Sequence, residues 1–322
     1  MPSVVNLARR CLGRRLAALG LGLLLPCAAA VADEPAPQAT ELAPGVYAVT
    51  GATDEATLEN GGRVGNGGFL VGSEGTILIN TGSSYAHGRQ LIELAERTGG
   101  KPVVLAVLQQ PLQEFVMGSA AFAERGIPVL AHAESAQLVV ARCDTCLVHL
   151  QRLLGEEAMH GTRVLRPPQT VGASETRRVA GRTLRLWHPE WAATPGDLVV
   201  LDTASGVAFA GALVSVHRIP DLRDADLAGW RRALDGLQAL PVRRLVPGYG
   251  PVTDLGALAA QRGYFDALER QAREQLESGA SLLDALQQSD LPAYADWDLY
   301  ARLHPRNLQQ VYLKLEAAGV GR

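Results

Sequence analysis

Two cysteines three positions apart, Cys143-Asp-Thr-Cys146, have the spacing in this chain that most directly suggests chemistry. Such a pair can exchange electrons, supply half of a zinc site or attach a haem. Haem attachment needs a histidine directly after the second cysteine, and Leu147 stands there. A metal reading would recruit His149 and His160 at an unfamiliar spacing. The expected role is a local structural disulfide clipping the start of a helix, with thiol–disulfide exchange as the alternative.

Imidazoles and carboxylates are the other groups to weigh. The seven histidines are His87, His132, His149, His160, His188, His217 and His304, and no two form a His-x-His or His-x3-His pair. One zinc ion needs about three or more such donors converging, with ligated rings about 4–5 Å apart. The best set the sequence offers is His188 with Asp197, Asp202 and His217. Glu114 lies between Leu112 and Phe115, where burial would raise its basicity and suit it to general-base work in an atypical, metal-free hydrolase.

The elements that must position these groups follow from hydrophobic pattern and turn residues. Leu42–Val49 reads as an edge hairpin, and 66–71 and 76–79 read as two strands about a tight turn. A helix over 88–98 leads into a strand at 103–108, a short polar turn, and a second helix opening at Gly118. A strand at 126–132, a helix over 133–154 and strands at 179–187 and 207–214 come next. The segment 255–319 is helical in pattern, with Ser281 a cap for its second helix.

Several of these turns carry motifs. Anchored on Gly118, the loop after the 103–108 strand resembles the His-x-His-x-Asp-His loop of the metallo-β-lactamase superfamily, its four motif positions falling on Gln110, Leu112, Glu114 and Phe115. Asn80-Thr-Gly82 resembles that superfamily's Asp-Thr-Gly, Thr194-Pro-Gly-Asp197 its His-Thr-Pro-Gly-Asp with Ala193 at the histidine, and Pro247-Gly-Tyr-Gly-Pro251 its Pro-Gly-His-Gly-Pro. The strand over 207–214 resembles one that ends Gly-Asp in the superfamily, with Ala212 at the metal-bridging aspartate. The stretch Val214–Trp230, Arg142-Cys-Asp-Thr-Cys146 and the tail 307–316 resemble an exported branch found beside quinoprotein dehydrogenase and sulfur-oxidation systems.

The resemblance spans 41–316 and implies an α/β fold: a four-layer αββα sandwich with a short C-terminal helical extension. It implies no zinc site, because Gln110, Leu112, Phe115, Ala193, Ala212 and Tyr249 replace the donors such a site requires. No cofactor is expected, and zinc only through relocated ligands. If the degenerate cleft binds a ligand, Asn80, Gln110, Glu114 and Tyr249 are the convergent polar groups.

Composition sets the remaining expectations. Of 322 residues, 47% are apolar, and 34 glycines and 18 prolines suit a turn-rich fold. Arg9, Arg10, Arg14 and Arg15 precede the apolar run 16–25 and the small residues Ala30-Val-Ala32, the pattern of a secretory signal peptide. Cleavage there would take the formal charge from −3 to about −7 and leave only Cys143 and Cys146. An acidic chain is a poor nucleic-acid partner. The expected organisation is a signal at 1–32, a flexible leader at 33–40, the sandwich at 41–254 and the helical extension at 255–322. The expected product is periplasmic or secreted with no transmembrane segment: a non-catalytic binding or accessory protein of a periplasmic oxidation system, with a small molecule or a periplasmic protein as partner.

Overall fold

A computed structural model describes residues 36–320, so the signal segment lies outside the described residues. Strands β1 (Ala39–Ala43), β2 (Val46–Val49), β3 (Gly67–Val71), β4 (Thr76–Ile79), β5 (Val103–Val107), β6 (Val129–His132) and β7 (Gln169–Val171) form one seven-stranded sheet in that order. The first three pairings are antiparallel hairpin partners. Pairings from β4 to β7 are parallel, and helices cross between these strands. Strand β1 begins at Ala39, so the last residues of the expected flexible leader are already paired, Thr40 with Ala48.

The second sheet runs β12 (Arg244–Tyr249), β11 (Val207–Ser215), β10 (Val199–Asp202), β9 (Arg182–Trp187), β8 (Glu175–Val179), antiparallel except for β11 with β12. Side-chain alternation decides how the sheets stack. In β4, Ile77 and Ile79 face a cluster shared with Leu184, Leu186, Val200 and Phe209 of the second sheet, while Leu78 between them faces the opposite way.

Helices cover both outer faces. Leu78 and Phe69 pack under α1 (Tyr85–Gly99), α2 (Gln113–Val116), α3 (Ser119–Glu124) and α4 (Ala133–Leu154). Ser84 caps α1 by accepting from the His87 N–H, and Gly100 ends it in a left-handed conformation. On the far side, Val199, Leu201, Ala208 and Ala210 pack under α5 (Leu227–Gln238), α6 (Leu258–Glu277), α7 (Leu282–Gln287) and α8 (Tyr300–Ala317). Three apolar layers between four structural ones make an αββα sandwich. The Ser281–Asp284 capping box opens α7, as the sequence pattern suggests.

Trp230 of α5 is 1% exposed and donates its indole N–H to the Leu213 carbonyl at 2.8 Å. Trp297, Leu303 and Tyr312 join the same layer, so the C-terminal helices are part of the core. His304 lies among them, fully buried, with its Nδ1 3.3 Å from the Tyr264 hydroxyl. Burial lowers its pKa to about 4.

An unfolded chain takes up this proton near pH 6.5, whereas the folded chain resists it until about pH 4. The stability tied to neutral His304 is therefore complete above pH 6.5 and is lost as pH falls towards 4, by about 3 kcal/mol. Urea melts at pH 6.5 and pH 4 should show His304→Gln losing about 3 kcal/mol less over this interval than the parent chain.

Candidate functional site

The loop following β5 is pinned to both sheets by amides. Gln109 Nε2 donates to the Phe209 carbonyl of β11 at 2.6 Å, and the Gln109 carbonyl accepts from the Leu198 N–H at 2.9 Å. Asn80, at the end of β4, accepts from Gln109 N–H and donates to Gln109 Oε1, both at 3.1 Å. Its φ of 65° is a left-handed conformation that asparagine tolerates better than most side chains. Asn66 completes the seam by donating to the carbonyls of Pro247 and Gly250 at 2.9 and 2.8 Å.

Where the loop enters α2, a close backbone approach fixes the turn. Thr81 N–H and hydroxyl both donate to the Phe115 carbonyl, at 2.8 and 2.9 Å. A side chain on Gly118 would put its Cβ 1.9 Å from the Thr81 carbonyl, so only glycine fits.

Five of the seven motif positions open onto one cavity of about 520 Å³: Leu112, Glu114, Ala193, Ala212 and Tyr249. Gln110 is fully buried behind this wall, where its Oε1 accepts from the Ala212 N–H at 3.1 Å. A Cβ on Gly211 would stand 2.2 Å from that oxygen, so Gln110 packs directly on the strand. Phe115 and Asn80 line a second cavity of about 430 Å³, which Glu114 also borders. Of the four polar groups expected to converge, Glu114 and Tyr249 line the main cavity, while Asn80 and Gln110 brace it from outside.

Tyr249 is the centre of the site. It is 4% exposed, its hydroxyl donates to Glu114 Oε1, and its ring lies 6.1 Å from that of Phe115. Burial first, and then the Glu114 charge, hold its pKa well above the ordinary value, so it stays a neutral donor. Arg218 covers the ring, its guanidinium carbon 3.6 Å from the centroid. This arginine is 8% exposed, its Nε has no hydrogen-bond partner, and no carboxylate among the described residues pairs with it. Nothing in the local sequence around His217-Arg218 signals that role.

The relocated metal set does not assemble. Asp202 is tied to Arg182 and Ser205, and His217 sits edge-on to Trp297. Asp197 is wrapped by the Thr194 N–H and hydroxyl at 2.9 and 2.8 Å, and burial pushes its pKa up to about 6 against those two bonds. His188 and His132 do meet, with centroids 3.8 Å apart and planes within 16°. In-plane lone pairs of stacked rings cannot aim at one ion. Moreover, each Nδ1 is engaged, by the Glu134 N–H and by the Asp197 carbonyl respectively for His132 and His188.

Among the described residues no three His, Cys, Asp or Glu side chains are grouped to hold a metal ion. A zinc ion does not fit the motif positions: those on the cavity wall offer one phenol-bound carboxylate and hydrocarbon beside a buried guanidinium, and the wall carboxylates Glu55, Asp221 and Asp224 are each taken by an arginine.

The cysteine pair lies elsewhere than a helix start. Cys143 and Cys146 are free thiols, and they lie midway along α4, not at a helix start. Cys143 is buried, while Cys146 is partly exposed and lines the main cavity beside Arg142 and His149.

No protein-family model matches this chain, and no curated protein does. Solved structures do. A metallo-β-lactamase from Pontibacter korlensis superposes with a TM-score of 0.59 at 22% identity, over 71% of this chain and 99% of that one. The DIM-1 metallo-β-lactamase gives 0.58 at 15% identity, over 72% and 98%. A metallo-β-lactamase from Erythrobacter litoralis gives 0.56 at 22% identity, over 72% and 97%. The chain therefore has the metallo-β-lactamase fold.

Two expectations follow. Gln109→Ala strands the Phe209 carbonyl and the Asn80 amide in a dry seam, and denaturant melts should record a loss of about 2–4 kcal/mol. With the thiols alkylated, zinc at 100 times a site's Kd would add about 2.7 kcal/mol of stability. Micromolar to submillimolar zinc should leave the thermal midpoint of the alkylated protein unmoved.

Proposed function

We propose that this chain is a non-catalytic binding protein of the metallo-β-lactamase superfamily whose cleft recognises a small organic anion through Arg218. One observation carries the reading: a buried guanidinium faces the cavity with no carboxylate partner among the described residues. The other arginines of the cavity wall are paired, Arg142 with Asp224 at 2.6 Å, Arg223 with Asp221 at 3.1 Å and Arg302 with Glu55. A desolvated cation costs several kcal/mol unless a counter-charge meets it. A carboxylate entering the cavity supplies one, in the planar geometry a guanidinium fork prefers.

Leu112, Ala193 and Ala212 give that anion an apolar wall for its carbon skeleton. Glu114 is engaged by the Tyr249 hydroxyl, which favours binding over base-catalysed hydrolysis. Export is read from the 9–32 pattern, and a periplasmic accessory role beside an oxidation system from the motifs shared with that exported branch.

Calorimetric titration of the full chain with benzoate and with straight-chain carboxylates should detect binding. Arg218→Gln should weaken it at least 10-fold, about 1.4 kcal/mol or more. Arg142→Gln, whose partner Asp224 lies at the rim, should weaken it less. Turnover of a p-nitrophenyl ester or a β-lactam that disappears in Glu114→Gln would reject the non-catalytic reading.

A further inference from the structure

One face of α4 lines the cavity and carries Cys146, while Cys143, one turn earlier, is buried beneath it. Residues three apart on a helix have Cα atoms about 5 Å apart, within the range a disulfide spans. Their Cβ atoms are about 5–6 Å apart, somewhat beyond the 3.5–4.5 Å of a relaxed bridge, so closing the bond tightens one turn of the helix.

The two sulfurs are unlike in access. Cys143 is 1% exposed and packed in the layer that holds Val139 and Leu150. Cys146 faces the cavity, and its thiol sits 3.6 Å from the Arg142 carbonyl. The neighbouring Cys143 thiol, aided by Arg223, pulls the Cys146 pKa down to about 7 despite burial. Accepting no such help, Cys143 is pushed up by Cys146 and by burial. An outer thiol that ionises near neutrality and an inner one that stays protonated divide the two steps of an exchange reaction between them.

We infer that Cys146 and Cys143 form a thiol–disulfide exchange site opening into the cavity, with a low-molecular-weight disulfide as its oxidant. The Cys146 thiolate attacks one sulfur of the incoming disulfide, forming a mixed disulfide and releasing the other half as a thiol. Cys143 then attacks the Cys146 sulfur, closing the protein disulfide and releasing the second half. Two electrons pass from the dithiol to the oxidant, and both cysteine protons leave on the two product thiols. Because closure tightens the helix, the bond formed is readily reduced again.

The test uses the full chain, reduced, desalted and treated with excess oxidised glutathione at neutral pH. Intact-mass and peptide mapping should show loss of two hydrogens and a Cys143–Cys146 bond in the parent chain. Cys143→Ser should stop at one glutathione attached to Cys146, and Cys146→Ser should react at least about 10-fold more slowly. Alkylation of Cys146 by iodoacetamide should rise with a midpoint near pH 7. A parent chain that stays a dithiol, a Cys146→Ser variant as reactive as the parent, or a midpoint near 9 would overturn the assignment. Should either variant fail to fold, the bond mapped in the parent chain decides alone.

Discussion

The cavity end of the sandwich is closed by carboxamides. Gln109 reaches across to the Phe209 carbonyl, Asn66 to Pro247 and Gly250, and Gln110 to the Ala212 N–H, so three neutral side chains stitch the loops of the two sheets together. Each lies in a dry seam, where a lone carboxylate would be far costlier than a neutral amide. A metal centre closes the same kind of seam with charge and needs anions to balance it. Here asparagine at 80 and alanine at 212 bring no charge into the seam. The one fully buried carboxyl in this region, Asp197, is wrapped by Thr194 and carries a pKa raised to about 6.

Charge balance explains Tyr249 and Arg218 as well. The end of β12 presents a neutral phenol that donates to Glu114 and whose ring takes a guanidinium on its face. A ring quadrupole attracts a desolvated cation by roughly 2 kcal/mol, less than a carboxylate partner would give. Arg218 is therefore held in place without being neutralised. Its position follows from packing, and its charge remains open to a ligand.

Much of the sandwich could be read from residue pattern. The apolar run of β4, the turn between β3 and β4, the long amphipathic run of α4 and the Ser281 cap all state their structure locally. The site was less legible. Anchoring on Gly118 brings Glu114 to the cavity and the Pro247–Pro251 motif brings Tyr249, but neither gives the exit geometry of β5. That geometry sends Gln109 into the seam and Gln110 behind Gly211. Arg218 carries no motif, because an unpaired charge is a property of its neighbours. The cysteines were misplaced for a different reason: the periodicity that defines α4 already encloses both, and a structural clip at a helix start conflicts with it.

The two walls of the cavity differ in what they can transmit. The amide seam is pre-formed and neutral, and its bonds run to backbone carbonyls and N–H groups that no ligand displaces. A molecule settling on Arg218 therefore has little to reorganise there, and its affinity is set by counter-charge and apolar fit. The α4 wall is different, since its shape depends on whether two sulfurs stand apart as thiols or draw one helical turn together. Arg142, a turn before Cys146, spans from that helix to Asp224 at the rim, with a 2.6 Å contact. A change in the turn that carries both Arg142 and Cys146 thus acts on the cavity mouth, leaving the floor under Tyr249 fixed.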